Sequence, residues 1–558
     1  MTRLLLLATL LSPAVVAAFV SHHGGGLFLP ATASTTTRRQ GKLSTSHGHP
    51  RPTPRSPTTT TVSALQMSKK TAVSRDQDLA QLLQWATDEM GVKAPLLKGG
   101  FIDGLRGLIA TRNIRPNDEM VVVPSDSALV TTTDQRCPFP EWVSQDFWAK
   151  NPWQGRLALL LLREKQQGSE SKLYPWISRL PESFGTPVGW PASDLSELQY
   201  PHLEAAVLEQ REEWAKLYAS LKASSPGCTV TEAELSWAMG VAYSRAFRRG
   251  VFFFGPYEGR GPKERLAEVA FVAALAGGSL GLGLGTPDQI ANGALAVLIG
   301  IPIRDFLMTK LVQLKRYALT PTVDLINHSS GVESDVSYNY FYGYFAVTTK
   351  RGWEAGEQVF ISYGPRSNDH LLQRYGFVEA INPNDVYRIT GLIDKLSDLL
   401  GEDSVKVLRG SGTALGSEVV DSATVGRDGV AGEEEEARVM PALRLAVVKD
   451  DQLPDGKLGN ISLKDFSKEV SPANESAARR ALRELCIKER EGFETDLDQD
   501  ERSMSSLGKT LGANKRLALT FRMEKKRVLN AAIAAMRDGT DNGGNKKTTA
   551  ASSKAVAA

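Results

Sequence analysis

Cysteine is scarce in this 558-residue chain. Cys137, Cys228 and Cys486 are odd in number and far apart, which excludes a disulfide framework and any Cys-x-x-Cys zinc site, and no metal role is expected. Net charge is also low, at +3. The basic excess lies largely at the N-terminus and forms no stripe, so nucleic acid is not an expected partner. No uncharged apolar stretch reads as a comfortable membrane span, which needs roughly twenty residues. Between Phe19 and Arg75 acidic residues are missing altogether; the first in the chain is Asp76.

What stands in that acid-free region reads as an address. After Arg3, the apolar run Leu4 to Leu11 is followed by Ser12-Pro13 and the small residues Ala14 to Ala18, the layout of a secretory signal peptide over 1–18. Residues 19–66 are rich in Ser, Thr, Pro, Arg and Lys, the composition of a transit peptide, with Leu65-Gln66-Met67-Ser68 as a second cleavage site. The two parts resemble the bipartite plastid address of algae with secondary red-type plastids. A plastid location, stromal or membrane-associated, is therefore expected; the alternative is a secreted protein with a disordered linker.

The length implies two or three domains, because single cores stop growing well below it. Apolar spacing predicts a helix over Asp78 to Met90. A strand, Gly-turn, strand pattern follows over Phe101 to Ala110, with a further strand at Met120 to Val123. Helical patterns then dominate Pro138 to Phe247, the clearest being Leu157 to Leu162 and Leu203 to Leu221. They return at Val386 to Leu400, Ser476 to Glu489 and Asn514 to Met536. The Gly/Glu-rich stretch Gly410 to Glu436 reads as a solvated loop and 538–558 as a disordered tail. Val269 to Gly285 and Ile290 to Ile303 carry no charge and are separated by Thr286-Pro287-Asp288, which suggests a helical hairpin. Two readings of it stay open: a hairpin packed on its own domain, or peripheral membrane contact through 269–303.

Two segments carry the chemistry: Asp324-Leu325-Ile326-Asn327-His328-Ser329, and Ile361-Ser362-Tyr363-Gly364-Pro365-Arg366-Ser367-Asn368 running to Tyr375-Gly376-Phe377. They resemble the two halves of a SET-domain methyltransferase site. Trp237-Ala238-Met239-Gly240-Val241 and Ser244-Arg245-Ala246-Phe247 are similar to the helix that precedes them in the Rubisco lysine methyltransferase-like branch. Asn514-Lys515-Arg516-Leu517-Ala518-Leu519 and Arg522 to Leu529 resemble the end of that branch's substrate-binding domain. The resemblance implies an α+β fold: a β-rich SET domain over 78–380 with a helical insert at about 138–247, then an all-helical substrate-binding domain over 381–537. Residues 248–319 stand where the branch has a short connection. The usual Gly-x-Gly-Leu turn is also altered, with Gly104 one position early and Leu105 in the place of the first glycine.

The same resemblance implies S-adenosylmethionine as cofactor, held by Arg106, Gly107, Arg245, Asn327 and His328. Tyr363 becomes the catalytic residue, and Asp324, Tyr338 and Tyr375 line the channel for the substrate amine. A guanidinium at Arg245 suits the cofactor carboxylate, and aromatic walls suit an amine that becomes a methylated cation. The expected activity is methylation of a lysine of a plastid protein by a monomeric enzyme. A histidine acceptor on the same fold and a non-catalytic SET-fold scaffold are the alternatives.

Overall fold

The computed structural model describes residues 74–536 apart from 103, 133–134, 251–275, 284–285, 296–314, 340–343, 411–419, 450–462 and 509. The presequence and the tail beyond 536 lie outside the described residues, as do 269–275, 284–285 and 296–303 of the 269–303 hairpin, of which 276–281 and 287–295 are helical. Among the described residues no helix is long and apolar enough to cross a membrane.

The first helix, Gln77–Asp88, starts where Asp76 caps it: its carboxylate accepts the Leu79 N–H at 3.0 Å, satisfying one of the orphan donors of the first turn. Its apolar face buries Leu79, Leu82, Trp85 and Ala86. Against it lies the antiparallel pair Leu97–Ile102 and Leu105–Ala110. Tyr344–Thr349 runs between Val121–Pro124 and Ser334–Asn339 in a second sheet, and Lys315–Leu319 runs between Leu129–Thr132 and Ala246–Gly250 in a third. This third sheet explains how the chain accommodates two long excursions. The helical insert leaves after Leu129–Thr132 and returns at Ala246–Gly250; residues 251–314 then connect two antiparallel neighbours. Lengthening such a connection costs little, since closure entropy grows only with the logarithm of loop length.

Within the insert, Glu232–Arg245 opens on a capping box between Thr231 and Glu234 and packs along Trp153–Gln167. Arg245 is its last residue, where the partial negative charge of the helix end favours a cation. The helix Asn368–Tyr375 stops at Gly376, whose φ of +75° is left-handed; a Cβ there would sit 2.9 Å from the Gly185 backbone nitrogen.

Two cores result. One runs from Leu79 to Ile361, while the second joins the C-terminal helices to Trp190, Leu195, Leu198, Tyr200, Leu203 and Val207 of the insert and to Leu372. The C-terminal part is helical around one small antiparallel sheet of Tyr387–Thr390, Ser422–Gly426 and Gly429–Val430. Two sequence expectations are corrected here. Tyr387–Thr390 alternates buried and exposed residues as a strand, and the helix begins only at Leu392, after Gly391 at φ +63°. The described part of 410–436 is a hairpin and a helix start rather than a solvated loop: Glu433, Glu434 and Glu435 fill the first turn of Gly432–Ala446, where acids are favoured.

The helix Ala513–Ala535 buries charge. Lys525 is wholly buried and its ammonium binds Asp369, Asp385 at 2.7 Å and the Val386 carbonyl at 2.7 Å. Burial alone would lower its pKa, but the two carboxylates outweigh it and keep the pKa raised. Arg522 and Lys526 share Asp500, and Glu524 takes Arg427 and Arg527. Lys525→Met is expected to lower unfolding free energy by about 3–5 kcal/mol, since it strands the buried Asp385 carboxylate and the half-buried Asp369. A denaturant titration giving a loss under about 1 kcal/mol would refute the assignment of Lys525 as a buried ion.

Candidate active site

The two chemistry-bearing segments are knitted side by side. Asn327–His328 pairs in parallel with Phe360–Ile361, and the Ser329 N–H donates to the Ile361 carbonyl at 3.0 Å. Beyond that pairing the Tyr363 N–H donates to Nδ1 of His328 at 3.0 Å, and the Tyr363 hydroxyl donates to the Ile326 carbonyl at 2.8 Å. A backbone N–H can only donate, so Nδ1 is the acceptor and Nε2 carries the hydrogen of the neutral ring. Nε2 lies 3.3 Å from Ser330 Oγ and 3.6 Å from Glu379 Oε2. Burial pushes the Glu379 carboxyl up, but its bonds with His328 and Ser330 outweigh that and hold it below the ordinary value. The Tyr363 ring is sandwiched, with the His328 and Tyr375 centroids each at 4.9 Å. Burial drives the Tyr363 phenol far above its ordinary pKa, so it stays protonated.

Arg245 and Asp324 meet next to this knot. Arg245 Nη1 donates to the Asp324 carbonyl at 2.8 Å and to its Oδ2 at 3.2 Å, and Oδ2 also accepts Trp176 Nε1 at 3.1 Å. Asp324 lies in the short turn Val323–Leu325, entered through Thr322 at φ +78°, an unusual backbone for a β-branched residue that costs about 1–3 kcal/mol. Its carboxyl is pushed up by complete burial despite the guanidinium and the indole. Asp324 Oδ1 and Arg245 Nε are buried without hydrogen-bond partners.

Two cavities lie against this pair, and Arg245 and Asp324 are the two residues they share. The smaller, about 180 Å3, is lined by Arg106, Gly107, Asn327, Trp176 and Leu79 among others. Asn327 Nδ2 donates to the Arg106 carbonyl at 2.8 Å. A Cβ on Gly107 would stand 2.8 Å from that same Nδ2 and collide with the Gln358 amide, so the strand can approach only as glycine. The larger, about 670 Å3, is lined by Tyr363, Tyr375, Tyr243, Phe247, Tyr317, Asp335, Arg366, His370 and Arg374 among others.

Of the sequence-derived residues, Tyr363, Tyr375, Asp324 and Arg245 thus converge on the larger cavity, and Arg106, Gly107, Asn327, Arg245 and Asp324 on the smaller. The Arg106 side chain turns to Asp76 and Asp78, so its contribution to the cavity includes its backbone. His328 lines neither cavity. Tyr338 stands in its strand opposite Phe345, and its side chain lies outside the described residues. Sequence reasoning missed the Trp176 bond to Asp324, the Gln358 amide behind Gly107, and Ser330 with Glu379 behind His328. Trp176 sits in the short helix Tyr174–Ile177, and nothing near it in sequence signals so distant a partner.

Comparison with known proteins supplies the family context of these segments. The SET domain family model matches residues 105–364 and the Rubisco LSMT substrate-binding model residues 397–529. The chain is 24% identical over 464 residues to the chloroplastic [fructose-bisphosphate aldolase]-lysine N-methyltransferase of Arabidopsis thaliana, covering 77% of each. It is 23% identical to SET domain-containing protein 4 of Homo sapiens, covering 74% of this chain and 81% of that one. The solved structure of Rubisco LSMT bound to sinefungin and monomethyllysine superposes with a TM-score of 0.52 at 20% identity, covering 83% of this chain and 92% of that one, a likeness of fold.

One titration follows from the larger cavity. Burial first, then Arg366 and Arg374, lower the His370 pKa from 6.5 to about 4. Between those values the unfolded chain takes up a proton that the folded chain refuses, so stability is lost as pH falls from 6.5 towards 4. His370→Gln is expected to lose less unfolding free energy than the parent between pH 7 and pH 5. Equal losses in denaturant titrations at the two pH values would overturn the assignment.

Proposed function

We propose, on the premise that this chain carries a SET domain joined to a Rubisco LSMT substrate-binding domain and is homologous to lysine methyltransferases, that it transfers the methyl group of S-adenosylmethionine to the side-chain amine of a lysine in a plastid protein. The observation that carries this reading is the pair of cavities meeting at Arg245 and Asp324. A donor and an acceptor that approach from different sides can align at such a junction without exchanging places, and alignment supplies most of the rate in a displacement. The location rests on the acid-free presequence and on the chloroplastic relative in Arabidopsis thaliana.

The smaller cavity fits the cofactor in its polar groups. Arg245 Nε is a buried donor without an acceptor, suited to a carboxylate; Asn327 offers a carboxamide; Gly107 leaves the room a side chain would fill. When bound, S-adenosylmethionine supplies an electrophilic methyl group on a sulfonium. The chain's own residues do the rest. The aromatic wall of Tyr363, Tyr375, Tyr243 and Phe247 disfavours the charged form of the incoming amine, so its proton leaves to bulk water and the lone pair that must attack is freed. Asp324 Oδ1, buried without a donor, orients the amine. Tyr363 remains a neutral phenol whose proton is committed to the Ile326 carbonyl, so its oxygen presents lone pairs to developing positive charge. His328 holds the Tyr363 backbone and acts by position, with no proton to exchange with substrate.

Calorimetric titration of S-adenosylmethionine, paired with radiolabelled methyl transfer to a plastid extract, tests the reading. Tyr363→Phe is expected to bind the cofactor within a few-fold of the parent and to lower kcat by about 10²–10³-fold. Absence of binding at millimolar cofactor would sink the enzyme reading and leave a scaffold.

A further inference from the structure

The wall of the larger cavity is unevenly charged. Arg245 and Asp324 neutralise each other. The remaining fixed charges on the described wall are Arg366, Arg374 and Asp335, two guanidiniums against one exposed carboxylate. Arg366 precedes the helix Asn368–Tyr375 and spends Nε on the Tyr363 carbonyl at 3.3 Å. Arg374, in the last turn of that helix, lays its guanidinium over the Tyr243 ring at 4.0 Å. Among the described residues neither has a carboxylate within 4.0 Å. Arg374 Nη1 is buried with no hydrogen-bond partner, although a buried charged donor left unmade is expensive.

A cavity that had only to accept a lysine side chain would gain nothing from guanidiniums, which repel the approaching ammonium. They make sense if another part of the substrate brings a carboxylate. Arg366, just before the helix Asn368–Tyr375, and Arg374, in its last turn, line the cavity together with His370 and Tyr375, so that carboxylate is received beside the aromatic channel. Arginine suits this role because its planar fork binds a carboxylate through two parallel hydrogen bonds. Stacking on Tyr243 pre-orients the Arg374 fork, so less entropy is lost on binding.

We propose that Arg366 and Arg374 are specificity-determining residues that select a protein substrate with an aspartate or glutamate within about three residues of the methylated lysine, the span over which an extended segment of about 3.3 Å per residue keeps both side chains in one cavity. The proposal rests on the lysine methyltransferase reading. Asp335, on the strand Ser334–Asn339, stands on the same wall and attracts the lysine ammonium before it loses its proton, so the two signs divide the substrate between amine and carboxylate.

The test uses the full enzyme with S-adenosylmethionine and a set of lysine peptides identical except for one Glu or Gln placed from three residues before to three after the lysine. It is accompanied by mass-spectrometric mapping of the lysines labelled in plastid extract. Glu at one or more positions is expected to raise kcat/KM about tenfold over Gln, the ratio expected of one desolvated charge-assisted contact. In Arg366→Gln and Arg374→Gln that ratio falls towards one, whereas a merely structural defect lowers both peptides together. If Arg374→Gln fails to fold, Arg366→Gln carries the comparison alone. Equal rates for Glu and Gln peptides overturn the proposal while leaving the methyltransferase standing. So do labelled extract proteins whose mapped lysines lack acidic neighbours, which decides the matter if the peptides are too short to be substrates. Cofactor binding without label on any peptide or protein overturns the underlying reading, and the proposal falls with it.

Discussion

The buried contact between Arg245 and Asp324 is the constraint on which the site depends. The Asp324 side chain is almost wholly buried and its carboxyl is pushed up towards protonation; the guanidinium at the end of one helix and the Trp176 indole offset that cost. Removing one partner of such a pair typically costs about 3–5 kcal/mol, far more than the pair adds beyond an apolar replacement. That asymmetry says why three distant parts of the chain must arrive together: the insert through Trp176, the helix ending at Arg245, and the strained turn after Thr322. The pair is also the wall between two cavities, so the contact that holds these parts together divides the chamber.

From that wall a chain of hydrogen bonds runs outward. His328 grips the Tyr363 backbone and faces Glu379; Asn368 binds the Glu379 carbonyl and the Asp385 carboxylate; Asp385 takes Lys525 of the C-terminal helix. Each link is a polar group that burial obliges to find a partner. Spatial continuity alone does not make this a route for signals. It does make the setting of Tyr363 a property of both halves of the molecule.

Much of this was legible in the sequence, in proportion to how local its cause is. Helices such as Gln77–Asp88 and Pro201–Ser224 follow from apolar spacing, and the two motifs around Asn327 and Tyr363 announce themselves by residue type at fixed separation. The strand Tyr387–Thr390 was read as helix because four residues are too few to show a period against the helix that follows. The acidic run at 433–435 read as solvated because charge without its backbone context says nothing of a helix dipole. The least legible feature is the buried run Arg522, Glu524, Lys525 and Lys526, which resembles an exposed basic face. Its burial is decided by Asp369, Asp385 and Asp500, carboxylates far away in the chain. Arg374 is hidden for the same reason, since nothing near it in sequence marks the Tyr243 ring that receives it.

The second hydrophobic core has a consequence for descent. It is closed by Trp190, Leu195, Leu198, Tyr200, Leu203 and Val207, which belong to the insert of the first half, and its C-terminal helix contributes the ammonium that Asp369 of that half must have. A gene fusion or exchange that cut between residues 386 and 397, within the gap between the two family matches, would hand each recipient an open core and stranded charges. The two halves are therefore one heritable unit.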